Sequence, residues 1–153
     1  MKRVFISFAA ILFLGIFAAA FSQTVGGSIG NGTASRGLST RGTVVISVPS
    51  GLHINSNRPN SPYAIATTVR LTASGARIGG VSYPRGKNRK FAFSENTINV
   101  YEGRVPVGFN LNLPQNFKGD TVRVRAVVRY QACTDEVCYP PKTTEVTLTA
   151  RVR

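Results

Sequence analysis

The stretch TVRVRAVVRYQA, residues 121–132, alternates apolar and polar side chains with a period of two. The apolar side chains that share one face are Val122, Val124, Ala126, Val128 and Tyr130. The opposite face carries three arginines. This alternation is typical of a β-strand with one buried face, and it predicts that Tyr130 lies in a core.

From residue 43 onward the chain repeats this kind of pattern. Further short strands are predicted at TVVISV, AIATTVRLTA, RIGGVSY, FAF, INVY, RVPVGFNLNL and TTEVTLTARV. No stretch after residue 22 has a convincing 3.6-residue period. Several short strands separated by polar turns predict an all-β, immunoglobulin-like β-sandwich. The antibody-type core is not expected, because the sequence has no tryptophan and no widely spaced cysteine pair.

The first 22 residues have the composition of an export signal. Lys2 and Arg3 precede the apolar run VFISFAAILFLGIFAAAF, and Ala20 and Ser22 fit an A-x-S cleavage site. We therefore predict a signal peptide over residues 1–22 and secretion into the bacterial periplasm. If the segment is not cleaved, residues 4–21 are close to the minimum length for a membrane anchor.

The remaining 131 residues (153 − 22) suffice for one sandwich-sized domain. Residues 23–42 are rich in Gly, Ser and Thr and lack apolar periodicity, so they are predicted to be a flexible leader. The domain itself is predicted over residues 43–153.

The chain is strongly basic, with a formal net charge of +13, which becomes +11 (13 − 2) without the predicted signal. Most arginines stand singly, and one cluster, Arg85, Lys87, Arg89 and Lys90, lies in a Gly-containing loop. We interpret this charge mainly as a solvated surface. Export argues against nucleic acid as a partner, while a weak attraction to an anionic membrane surface or to an acidic partner stays open.

The two cysteines, Cys133 and Cys138, lie close together in YQACTDEVCYPPK, between the last two predicted strands. Zinc needs about four ligands, and the sequence adds only His53 to the two thiols, so no metal or cofactor is expected. A local disulfide would stabilise the fold by about 2 kcal/mol in the chain-entropy estimate. At an exposed hairpin end it would also be open to attack by a thiolate. From the residues alone, a structural and a redox-active disulfide both remain open.

The segment RYQACTDEVCYPPKTTEVTL resembles the active-site segment of the N-terminal periplasmic domain of the DsbD family of thiol:disulfide interchange proteins. The phrase YQ-x-C…C-x-P-P carries most of the resemblance. SGLHINSNRP, YPRGKNRKFAF and VYEGRVPV extend it, so that it covers roughly residues 43–152.

The resemblance implies an immunoglobulin-like domain in which Cys133 and Cys138 are the redox couple. Tyr101 then matches the aromatic of a cap loop that shields the disulfide. His53 and Asn55 fall where tyrosines line the site in the best-known member, and Asn99 falls where that member has an acid. Tyr139, next to Cys138, is expected near the sulfurs.

In that family the domain receives electrons from a thioredoxin-like domain, supplied by a membrane domain, and reduces periplasmic thiol proteins. The sequence contains neither of those domains, so we expect a separate thioredoxin-like or membrane thiol reductant as the donor. The resemblance thus implies a redox-active interchange domain that depends on that donor. The alternative is a non-catalytic immunoglobulin-like binding or assembly module with a structural hairpin disulfide.

Overall fold

The computed structural model describes residues 23–153, and all regular structure in this range is β. The predicted signal peptide and the alternative anchor, residues 4–21, lie outside the described residues. The strands are β1 (Thr24–Ile29), β2 (Thr33–Ala34), β3 (Ser39–Ser47), β4 (His53–Asn55), β5 (Thr68–Ala73), β6 (Arg77–Ser82), β7 (Lys87–Arg89), β8 (Ile98–Tyr101), β9 (Arg104–Asn112), β10 (Thr121–Tyr130), β11 (Ala132–Cys133) and β12 (Lys142–Val152). Within residues 23–153 we find no helix with the length and apolar character needed to cross a bilayer.

Two four-stranded sheets form a sandwich, with strand orders β1-β3-β9-β6 and β2-β12-β10-β5. Alternate residues of β3, β9, β10 and β12 point inward and form one shared core. Tyr130 is 1% exposed at the end of β10, as its place in the alternation predicted. The all-β, immunoglobulin-like fold class is confirmed.

A third, smaller sheet has the strand order β11-β4-β8-β7. Ala132 pairs with Ile54, and Ile54 pairs with Tyr101, so these three side chains share a face. All three belong to the main core. The opposite face is covered by a second apolar cluster of Phe91, Ile98 and Val100. The strands β4 and β8 are therefore buried on both sides although they are short, whereas the edge strand β7 is mostly exposed.

The prediction of a flexible leader over residues 23–42 is wrong. β1 pairs antiparallel with β3, β2 pairs parallel with β12, and Ile29 is fully buried. At Gly27 the backbone has φ 156°, and a Cβ would lie 2.1 Å from the carbonyl oxygen of Thr43. Glycine at this position serves close strand approach rather than flexibility, which composition alone did not distinguish.

The predicted strand FAF is also wrong. β7 ends at Arg89, and residues 91–93 follow it in irregular structure that places the Phe91 ring in the second apolar cluster. Three residues are too few for the period to separate a strand from a turn with one buried aromatic. Conversely, Lys87 and Arg89 of the predicted basic loop belong to a strand and pair with Glu102.

Candidate thiol-disulfide site on the small sheet

Cys133 and Cys138 form a disulfide with an S–S distance of 2.05 Å, in the connection between β10 and β12. The turn between them is closed by the Thr134 N–H, which donates to the carbonyl of Val137 at 2.8 Å. The Thr134 hydroxyl oxygen accepts bonds from the N–H groups of Glu136 and Val137, at 3.2 and 3.1 Å. The backbone around the disulfide is therefore fixed by its own short-range hydrogen bonds.

The two cysteines differ in exposure. Cys133 is fully buried, whereas Cys138 is exposed. Thiol–disulfide exchange requires access of a thiolate to one sulfur. A partner can therefore reach Cys138, and Cys133 would then be the leaving sulfur. The sequence had suggested an exposed hairpin end without separating the two sulfurs.

Gln131, in the motif YQ-x-C, connects the cysteine hairpin to β4. Its Oε1 accepts a bond from Asn55 Nδ2 at 3.1 Å, and its Nε2 donates to the carbonyl of Tyr139 at 3.2 Å. The Tyr139 N–H donates to the carbonyl of Ala132 at 2.9 Å, and the Tyr139 side chain is 46% exposed. Asn55, itself buried, thus holds the hairpin indirectly, while Tyr139 lies outside beside Cys138.

His53 lies directly across from Cys133 in the antiparallel pair β4–β11 and is 3% exposed. Its imidazole stacks on the Phe91 ring, with the centroids 4.3 Å apart, and Phe91 stacks in turn on Phe93 at 5.2 Å. Burial lowers the pKa of His53; Arg89 also lowers it, and the charges of Asp135 and Glu102 oppose this shift.

Three charged side chains lie near this imidazole. The Arg89 guanidinium pairs with Glu102 and lies 3.4 Å from the Asp135 carboxylate, and it also lies 5.5 Å above the centroid of the Phe91 ring. His53, Arg89, Glu102 and Asp135 line a cavity of about 430 Å³, which is also lined by residues 48–52. Among residues 23–153, no group of three His, Cys, Asp or Glu side chains is arranged to hold a metal ion.

Two residues implied by the resemblance lie on the other face of the small sheet. Tyr101 is 4% exposed in the main core, and its hydroxyl bonds to the side chain of Asn57 and the carbonyl of Pro84. Burial raises its pKa. Asn99 donates to Asn88 Oδ1 at 2.7 Å. Tyr101 therefore packs within the main core, and the cap role that the resemblance implied for it stays a prediction.

Sequence reasoning missed Phe91, Arg89, Glu102 and Gln131. Phe91 had been assigned to a strand and Arg89 to a solvated loop. Gln131 belongs to the recognised motif and directly follows the alternating strand. A polar side chain beside buried residues indicates a structural hydrogen bond, so the sequence did contain a signal for Gln131.

Comparison with known proteins agrees with this geometry. The family described as thiol:disulfide interchange protein DsbD, N-terminal, matches residues 34–150, well over half of the chain. The thiol:disulfide interchange protein DsbD of Actinobacillus pleuropneumoniae serotype 5b (strain L20) is 28% identical over 98 residues, which cover 63% of this chain and 15% of that protein. This chain therefore spans a small part of that relative's length.

Two solved structures share the fold. The N-terminal periplasmic domain of ScsB from Proteus mirabilis superposes with a TM-score of 0.55 at 15% identity, covering 84% of this chain and 45% of that one. The complex between the DsbD N-terminal and PilB N-terminal domains from Neisseria meningitidis gives 0.52 at 17% identity, covering 82% and 80%. With the family match over residues 34–150 and the paired cysteines of the motif, the chain belongs to the family of DsbD N-terminal thiol:disulfide interchange domains.

Proposed function

We propose that this domain relays reducing equivalents in the periplasm through Cys133 and Cys138, between a thioredoxin-like or membrane thiol donor and other thiol proteins. The observation that carries the proposal is the asymmetry of the disulfide, with Cys138 exposed and Cys133 buried beside His53. A structural disulfide does not require one accessible sulfur. A relay does, because each partner must form a mixed disulfide with it.

The electrons move in two exchanges. A donor thiolate attacks Sγ of Cys138, the Cys133–Cys138 bond breaks, and the electron pair leaves on Sγ of Cys133, which takes up a proton. A second donor thiolate then attacks the mixed disulfide and releases Cys138, so that the donor becomes a disulfide and the domain a dithiol. Reduction of a substrate disulfide runs through the same steps in reverse.

Several side chains support this chemistry by controlling access. Phe91 packs over the face of the small sheet that bears His53 and Cys133. We propose that Phe91 and Phe93, rather than Tyr101, shield the Cys133 side of the disulfide, so that attack is directed to the exposed Cys138. Phe93 is 43% exposed, and Val137 and Tyr139 beside Cys138 are 54% and 46% exposed, which gives a docking partner apolar contacts around the accessible sulfur.

Partner capture tests the relay directly. Cys133→Ser leaves Cys138 without its resolving thiol. When this variant attacks the disulfide form of a thioredoxin-like protein, the mixed disulfide should accumulate, whereas Cys138→Ser should form none. The reduction potential of the wild type should lie above about −300 mV, the region of inert structural disulfides. A lower potential, together with resistance of the folded protein to reduced thioredoxin, would refute the relay.

The same measurements address the structural alternative. If the disulfide only staples the hairpin, the Cys133→Ser, Cys138→Ser double variant should lose about 2 kcal/mol of unfolding free energy and the wild type should not react with thiol proteins. A relay predicts reaction of the wild type whatever the stability cost.

A second surface supports the proposal of a weak attraction to anionic membranes. The outer face of the sheet β2-β12-β10-β5 carries the exposed arginines Arg70, Arg123, Arg125, Arg129 and Arg151. Glu145 lies on the same face and forms an ion pair with Arg125. A flat face with this excess of positive charge is complementary to anionic headgroups at low ionic strength.

Vesicle binding tests this surface. Vesicles that contain anionic phosphatidylglycerol should bind the domain in low salt and release it in high salt. Replacing Arg70, Arg123 and Arg129 by Gln should abolish binding, while replacing Lys87 and Arg104 elsewhere should not. Binding to neutral vesicles, or no difference between the two variants, would refute it.

A further inference from the structure

His53 Nε2 is a buried side-chain nitrogen without a hydrogen-bond partner in the described part of the chain. Such a group costs free energy, because burial removes its water without supplying a replacement partner. Phe91 stacks on the ring face and cannot satisfy an in-plane lone pair or N–H. A buried polar atom left in this state in a folded protein calls for a functional reason.

The nearest reactive group across the strand pair is Cys133. The register places His53 opposite Cys133, so both side chains point to the same face of the small sheet. Neighbouring side chains in this arrangement have Cβ atoms about 4.5–5.5 Å apart, which brings an imidazole nitrogen within reach of a sulfur. In the disulfide, Cys133 has no S–H to offer, and in the dithiol it has one.

We infer that His53 is the acid–base partner of Cys133, and this inference rests on the proposed relay. When the reduced domain has formed a mixed disulfide at Cys138, Cys133 must attack Sγ of Cys138. His53 Nε2 accepts the Cys133 thiol proton, the new Cys133–Cys138 bond forms, and the partner leaves as a thiolate. In the reverse direction His53 returns the proton to Cys133 as that sulfur leaves.

The surroundings suit this role. Burial disfavours a thiolate at Cys133, so a local base lowers the barrier to its reaction. Burial lowers the pKa of the imidazole, which favours the neutral form that accepts a proton. The charged groups that face it are Arg89 from β7, Glu102 after β8 and Asp135 from the cysteine turn. Two carboxylates and one guanidinium leave a net negative setting, which stabilises the imidazolium once it forms.

The test separates the two thiol reactions in time. The reduced protein reacts with Ellman's reagent at Cys138 and releases one thionitrobenzoate; the attack of Cys133 on the mixed disulfide then releases a second. In the wild type, the rate of the second release should rise with pH through the lowered pKa of His53, and it should already be level at about 6.5, the ordinary histidine value. His53→Gln should slow the second release about 100-fold near neutral pH. In this variant the rate of the second release should keep rising with pH until the Cys133 thiol itself ionises.

Phe91→Leu serves as a matched control, because it removes the ring stack and keeps the imidazole, so the wild-type pH profile should persist. Convergence of wild type and His53→Gln at high pH supports the inference. Equal slowing at every pH means that His53 is only structural and overturns it. Absence of the second release in the wild type overturns the relay, and this inference with it.

A measurement on the wild type covers the case in which the His53 variant does not fold. The chain has one histidine, so its ¹⁵N imidazole resonances are unambiguous. Reduction of the disulfide should shift the Nε2 resonance, because the Cys133 thiol now donates a hydrogen bond to it. An Nε2 resonance that does not change on reduction would overturn the inference.

Discussion

The guanidinium of Arg89 lies 3.4 Å from the carboxylate of Asp135, and this contact joins β7 to the turn between the two cysteines. Arg89 immediately precedes the segment that carries Phe91 and Phe93, so the ion pair connects the start of that segment to the cysteine turn. Arg89 is 39% exposed in its side chain and Asp135 is 73% exposed, and the pair is therefore accessible to salt.

Breaking this pair should make the disulfide easier to reduce. A part-exposed ion pair contributes about 0.2–1 kcal/mol, so Asp135→Asn should raise the rate of reduction by a small dithiol up to about fivefold. Glu145→Gln, which removes the Arg125 pair on the far sheet, is the control and should leave the rate unchanged. The two rates can be compared by stopped-flow reduction, and high salt should remove the difference between Asp135→Asn and wild type. An unchanged rate in Asp135→Asn would show that the ion pair does not hold the segment.

The shielding residues can be told apart by substitution. Phe91→Ala should accelerate reduction by a small dithiol, because it uncovers the face of the small sheet on which Cys133 lies and so opens a second sulfur to attack, besides the exposed Cys138. Tyr101→Ala removes the ring; it should leave the reduction rate of the folded protein unchanged and lower the unfolding free energy by about 3–5 kcal/mol, because the ring is buried in the main core. Faster reduction of folded Tyr101→Ala would support the cap role that the resemblance implied.

The segment before residue 43 should contribute to stability. Ile29 is fully buried, so Ile29→Ala should cost about 2–5 kcal/mol in urea unfolding. Leu38, also within residues 23–42, is 61% exposed, and Leu38→Ala should change the unfolding free energy by no more than about 0.5 kcal/mol. Equally small effects of both substitutions would indicate that residues 23–42 do not contribute to the stability of the folded domain.

A glycine in β3 is required by an aromatic ring. A Cβ at Gly42 would lie 2.2 Å from the Phe109 ring, whereas a Cβ at Gly26, in the adjacent β1, would meet nothing within 4 Å. Gly42→Ala should therefore destabilise the fold by about 1–3 kcal/mol, and Gly26→Ala should not. Phe109→Leu in the Gly42→Ala background should recover part of the loss; additive losses would argue against the ring as the cause.

Protonation of His53 should oppose folding. Its pKa is lowered in the folded protein, so between that value and about 6.5 the unfolded chain binds more protons than the folded one. Stability should therefore fall as the pH drops from about 6.5 through the folded pKa, and it should be fully present above that range. His53→Phe should lack this component when unfolding free energies are compared across pH. A pH dependence identical to that of the wild type would show that His53 titrates as in the unfolded chain.

The sequence predicted the features that depend on local period and on the motif. Alternation located the core face of β10, and the resemblance gave the cysteine couple. What it did not predict depends on contacts between distant segments. The assignment of residues 23–42 failed because only the pairing of β1 and β2 with β3 and β12 shows that they are ordered. Phe91 was missed because its role depends on a stack with His53, 38 positions earlier (91 − 53).

The parallel pairing of β2 with β12 has a consequence for how the chain reaches its native state. Thr33 and Ala34 pair with Arg151 and Val152, so one edge of the second sheet joins the two ends of the described range. During synthesis this edge cannot form until Val152 has left the ribosome, and β10 has no β12 to pair with before then. Sheets that depend on such distant pairings form slowly. Until β12 is available, only the β10–β5 pair of this sheet can form, so the centre of the sheet and its β2 edge are completed last.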